Sequence, residues 1–166
     1  QIIALSATVG NVQTFVGWLS AISRPFKLVF SDHRPIPLNY SIYKFKNKLA
    51  TIRKICKRHI DQDGQVIIFV NKRKTCVKLG LKLTKPIAKY LQPKDRDELV
   101  NFVSILRKNH SLASYLSELI QHGIGYHNAS LNYKDRTLVE SAFKKGHIKV
   151  LIATTTLAAG INLPAR

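Results

Sequence analysis

Acidic side chains are scarce in this sequence: nine Asp and Glu stand against 27 Lys and Arg, a formal charge of +18. Such a charge does not specify a fold, but it does restrict the partners. It favours polyanions, nucleic acid above all, because neutralised phosphates release their condensed counterions. Long apolar runs are also missing. None approaches the roughly 20 residues of a membrane span, so no membrane partner is expected. Gln1 leads straight into an apolar stretch without a basic segment before it, so no signal peptide is expected either. Two cysteines, Cys56 and Cys76, are too few for a disulfide framework and lack a zinc-ligand pattern. They are expected to pack inside a protein kept in a reducing, intracellular setting, cytoplasmic or nuclear. Methionine is absent, even at position 1, so the chain is expected to be an internal piece of a longer protein.

Apolar residues make up 45% of the 166, enough for the core of one domain, or of one domain and part of another. Continuous apolar runs at Gln1 to Thr8, Gly64 to Val70 and His147 to Thr154, with a shorter one in "IGYH", predict buried strands. Further strands are expected from Lys27 and over Tyr40 to Lys44. Helical periodicity fills the intervals. One helix follows Gly10-Asn11, and a basic amphipathic one spans Asn47 to His59. Another starts at Asn71 and runs through Leu83, before Pro86 and Pro93 punctuate the chain. Two more precede Gly123, and one is capped by Asn132 and stopped by Gly146. Pro35 and Pro37 hold Asp32 to Leu38 extended, as in a linker. The alternation predicts an α/β fold, a parallel sheet with helices on both faces.

Ligands of such sheets bind at the carboxyl ends of the strands. Here those ends read Ser6-Ala7-Thr8, Asn71-Lys72-Arg73-Lys74, His127-Asn128-Ala129-Ser130 and Thr154-Thr155-Thr156. Each offers hydroxyl, amide or basic donors, which with the N–H groups of helix starts can grip phosphate oxygens without reading sequence. For any single ending, plain helix capping is the alternative. For His127 the alternative is an ordinary, internally satisfied histidine.

"SATVGN", "RPIPL", "VIIFVNKRK", "YHNASL", "R-x-x-V-E-x-x-F-x-x-G" and "VLIATTTLAAGINLPAR" occur in an order that resembles superfamily-two DExH helicases. The nearest branch is the superkiller type, which includes archaeal repair helicases. The resemblance covers almost the whole chain. It implies a RecA-like second helicase domain over residues 46–166, a connector over 24–45, and the tail of a first RecA-like domain over 1–23. It also implies that the full protein is an ATP hydrolase that translocates on and unwinds DNA or RNA, with DNA favoured. Single-stranded or partly duplex nucleic acid and the rest of the same chain would be its partners, ATP and Mg2+ its cofactors.

By resemblance, Ser6 and Thr8 couple nucleotide state to domain closure, and Gly160 and Asn162 face the nucleotide. Asn71, Lys72, Arg73, His127, Asn128, Thr154 and Thr155 meet the nucleic acid, Thr154 and Thr155 through hydroxyl and N–H groups. Asn128 and Ser130 depart from the branch pattern, which has an imidazole and a glycine there. Arg136 and Glu140, four apart, are expected to form a helix-surface ion pair. No G-x-x-x-x-G-K-[ST] loop and no Asp-Glu pair after an apolar strand occur, and the sequence ends short of the family's arginine-finger motif. Alone, the chain is therefore expected to lack ATPase activity and to contain no catalytic residue. Two other readings stay open: a nucleic-acid-binding module with no motor role, and a basic domain that docks an acidic protein.

Overall fold

Three apolar tetrapeptides, Val66–Phe69 (β1), Ile124–His127 (β2) and Val150–Ala153 (β3), pair in parallel in the spatial order β1-β3-β2. The computed structural model describes residues 10–22, 25–31, 33, 37–108 and 114–154. β2 and β3 are fully buried, as expected for strands covered on both faces. Around them run α2 (Lys48–Ile60), α3 (Arg73–Ala88), α4 (Pro93–Lys108), α5 (Ser114–Ile120) and α6 (Tyr133–Lys144); α1 (Val12–Ala21) precedes them. The chain divides into two units, Gln1–Tyr43 and Lys44–Arg166.

The second unit holds the core. Leu83 and Ile87 of α3, Leu119 and Ile120 of α5, Val139 and Phe143 of α6, and Leu151 and Ile152 of β3 are all solvent-free. Burying each such side chain contributes about 1.5–3 kcal/mol. Alternate strand residues serve opposite faces. His127 reaches Glu140 of α6 on one side, and Tyr126 lies beside Cys76 of α3 on the other. Gly80 lets α3 approach α5 closely: a Cβ there would stand 2.9 Å from a Leu119 methyl. Gly123 ends α5 with a φ of 72°, the left-handed conformation that glycine adopts at low cost.

Asn11, Asn47 and Asn132 cap α1, α2 and α6 through their side-chain oxygens, as the sequence predicts for Asn11 and Asn132. Three local expectations are corrected. α3 begins at Arg73, two residues later than expected. It also runs past Pro86 to Ala88. Proline removes the N–H that would have bonded the Lys82 carbonyl, and Arg53 Nη2 of α2 donates to that oxygen instead, at 3.2 Å. Finally, the described parts of the segments expected as strands from Lys27 and over Tyr40 to Lys44 form no strand. Tyr40 and Ile42 are 84% and 97% exposed, so no face of that stretch is covered and nothing sets a pairing register. Among the described residues no helix is long and apolar enough to cross a membrane.

Candidate nucleic-acid interface

β1, β3 and β2 end level with one another: Phe69 and His127 both stand opposite Ala153. The next residues emerge together. Val70 N–H donates to the Ala153 carbonyl (2.8 Å) and Thr154 N–H to the His127 carbonyl (3.2 Å). Asn71, Asn128 and Thr154 thus share the carboxyl end of one sheet, where a doubly wound fold presents its ligands. Ser6, Thr8, Thr155, Gly160 and Asn162 lie outside the described residues.

The rim has two layers. The outer layer is Asn71, Lys72, Arg73 and Lys74, all exposed, at the start of α3. Lys72 is the N-cap residue in extended backbone and makes no side-chain capping bond. The first N–H groups of this helix therefore point outward without a side-chain acceptor, where the helix dipole is positive and three cations stand close by. None of those cations takes part in an ion pair among the described residues. An uncapped helix start ringed by unpaired cations binds anions readily.

The inner layer is buried. His127 is 4% exposed, and its Nε2 lies 2.9 Å from Glu140 Oε1. A carboxylate only accepts, so Nε2 carries the proton, and Nδ1 is left without a hydrogen-bond partner. Asn128, 2% exposed, accepts through Oδ1 from the N–H and the hydroxyl of Ser130. Its side chain also meets the Cys76 thiol; burial pushes that thiol up, and the Asn128 bond pulls partly the other way. Thr154 is 7% exposed and gives its N–H to His127, so that N–H is not directed at a ligand. The side chains of His127 and Asn128, expected to meet nucleic acid, instead hold the rim together from beneath.

Glu140 is the residue that sequence reasoning misplaced. Its expected ion pair with Arg136 is replaced by the bond to His127, and Arg136 Nη2 donates instead to the Leu131 carbonyl at 3.1 Å. The available signal was its place between Val139 and Phe143, both fully buried, which turns this stretch of α6 towards the sheet.

At the opposite, amino end of the strands lies a polar cavity of about 730 Å³, lined by Asp63, Gln65, Asp95, Glu98, His147 and Lys149 among others. Lys149 Nζ stands 3.1 Å from Asp63 and 3.3 Å from Asp95, and His147 Nε2 stands 2.6 Å from Glu98. Gln65 donates to the Phe143 and Ile148 carbonyls at 2.6 and 2.7 Å. Charges at this end are matched internally. Among the described residues no three His, Cys, Asp or Glu side chains gather so as to hold a metal ion.

Residues 47–166 match the helicase conserved C-terminal domain family. The chain is 33% identical to the ATP-dependent DNA helicase Hel308 of Caldivirga maquilingensis, with 100% of the chain and 24% of that protein covered. It is 37% identical to the protein of the same name from Pyrococcus horikoshii (99% and 24% covered) and 35% identical to that from Thermoplasma volcanium (100% and 24%). The chain spans about a quarter of the length of these curated relatives. A three-stranded parallel sheet flanked by helices, a phosphate-ready rim and a family match over most of the sequence agree: this chain belongs to the helicase conserved C-terminal domain family, with its RecA-like fold.

Proposed function

We propose that this chain works within an ATP-dependent DNA helicase, as the second RecA-like domain with a short part of the first, and that it grips the sugar-phosphate backbone of the translocated strand. The observation that carries this reading is the uncapped α3 start, with Lys72 and Arg73 exposed and without ion-pair partners among the described residues. Relatives named as ATP-dependent DNA helicases support both ATP use and DNA as the polymer. In this reading Asn71, Lys72 and Arg73 contact phosphates directly. Thr154 and Thr155 continue the grip from the end of β3, and His127, Asn128 and Glu140 position the rim. Gly160 and Asn162 would face ATP across the interdomain cleft, and Ser6 and Thr8 would link nucleotide state to closure. ATP and Mg2+ would be held chiefly by residues other than those described, and they supply the hydrolysis that drives movement.

Backbone contacts make binding independent of sequence and steep in salt. In the full-length protein, Lys72→Ala with Arg73→Ala should lower the slope of log affinity against log salt by about 1.4, near 0.7 per lost single-strand contact. Strand-stimulated ATPase should weaken in parallel. A full-length protein that binds single-stranded DNA yet shows no strand-stimulated ATPase would leave the non-motor binding module as the correct reading.

A further inference from the structure

α2 and α3 each carry five Lys and Arg and not one Asp or Glu. On α3 the lysines are ordered. Lys74, Lys78, Lys82, Lys85 and Lys89, the last at the C-cap, are all exposed and fall within an arc of about 80° at 3.6 residues per turn. The buried Cys76, Gly80, Leu83, Thr84 and Ile87 occupy the opposite arc. At 1.5 Å per residue the stripe is about 22 Å long. It starts at the rim, one position after Arg73, and runs away from it along the outside of the sheet.

α2 lies alongside and in the same direction: Arg53 bonds the Lys82 carbonyl at 3.2 Å, and Lys57 sits 5.5 Å from the Tyr90 ring centre. Lys54 and Arg58 of α2 are exposed as well.

A merely soluble surface would not need this pattern. Lysines three and four apart on a helix repel one another. α4 and α6 show the ordinary solution, with Asp95, Asp97 and Glu98 set among Lys94 and Arg96, and Asp135 and Glu140 among Lys134 and Arg136. The stripe on α3 has no such relief. Nor does it look like a protein-docking surface, which centres on apolar or aromatic anchors. No exposed large apolar side chain belongs to α2 or α3. A flexible chain of phosphates needs cations along its path and no anchor.

We propose that the outer face of α3, flanked by the exposed cations of α2, is a second nucleic-acid track, separate from the rim, that holds the backbone of the strand beyond it. The proposal rests on the helicase reading above. The test uses the full-length protein and two fluorescent oligothymidylates, one of about 8 nucleotides, short enough for the rim alone, and one of about 30. Lys78→Gln, Lys82→Gln and Lys85→Gln together should leave binding of the short probe unchanged. Affinity for the long probe should fall about 10-fold at low salt, with a salt slope lower by about 2. Arginine at the same three positions should restore both values.

An unchanged long-probe slope overturns the track, as does equal loss on both probes or failure of arginine to restore binding. Loss of polyglutamate binding with DNA binding intact also overturns it, and assigns the stripe to an acidic protein. An unmodified protein that binds neither probe overturns the helicase reading and the track with it. An unmodified protein that binds both, with a triple variant of unaltered slope, overturns the track alone.

Discussion

At the amino end of the sheet, Asp61, Asp63, Asp95 and Glu98 each meet a cation: Lys57, Lys149 for both Asp63 and Asp95, and His147. At the carboxyl end, Lys72, Arg73 and Lys74 stand exposed with no such partner among the described residues. These four are almost half of the nine acids in the sequence, so gathering them at one end leaves the other end positive. The net charge of +18 is therefore a poor description of the surface. What matters for binding is which cations are already satisfied. A paired lysine contributes to stability, and a solvated unpaired one remains available to a phosphate.

The comparison breaks most readily at Lys149. Its side chain is 7% exposed and lies between an open carboxylate, Asp63 at 92%, and a largely buried one, Asp95 at 13%. Lys149→Ala strands the Asp95 charge away from water. Removing one partner of a buried pair costs about 3–5 kcal/mol. The exposed Asp63 can rehydrate, so the loss should sit near the lower limit, about 3 kcal/mol by urea unfolding. Oligonucleotide affinity of the remaining folded protein should not change, because no part of this cluster lies at the rim. An equal fall in affinity would show that the two ends are not independent.

Glu140 tests the inner layer of the rim. Glu140→Ala leaves the buried His127 Nε2–H without its acceptor and should cost about 1–2 kcal/mol in thermal or urea unfolding. Glu140→Gln keeps an acceptor oxygen and should lose less. Both should weaken strand binding by less than the loss of Lys72 and Arg73, since Glu140 touches the rim only through His127. If the alanine variant is as stable as the parent, the His127–Glu140 bond is not what holds β2 to α6.

Much of this was legible from residue order. β1, β2 and β3 are short apolar runs, and no other pattern of the second unit competes with them. Asn132 and Gly146 bound α6 by local chemistry alone. Other features depend on tertiary partners that no window of sequence contains. α3 survives Pro86 because a guanidinium 29 positions upstream in the sequence of Lys82 takes over its carbonyl. Tyr40 to Lys44 alternates like a strand yet has no neighbour to pair with among the described residues. Among the candidate site residues, residue type marked the rim correctly as polar, but it could not separate exposed Asn71 from buried Asn128. That difference arises from Ser130 and Cys76 closing over Asn128 while nothing closes over Asn71.

The finest test concerns the missing cap. α6 and α3 start alike, with extended backbone at the N-cap residue, but Asn132 bonds the Asp135 N–H at 2.8 Å whereas Lys72 caps nothing. A lysine there gives up the roughly 1 kcal/mol that a capping side chain typically contributes. Lys72→Ser should recover about 0.5–1 kcal/mol, read as a higher urea midpoint at unchanged denaturant sensitivity. Its hydroxyl would accept from the first turn of α3 and so compete with a phosphate for the same N–H groups, while the lysine charge is also lost. Affinity for single-stranded DNA should therefore fall as stability rises. Lys72→Ala separates the two causes: it removes the charge, adds no cap, and should lose less affinity than the serine variant. If serine stabilises the fold and binds DNA as well as alanine does, the N–H groups of α3 are not part of the grip, and only the side-chain cations remain to carry it.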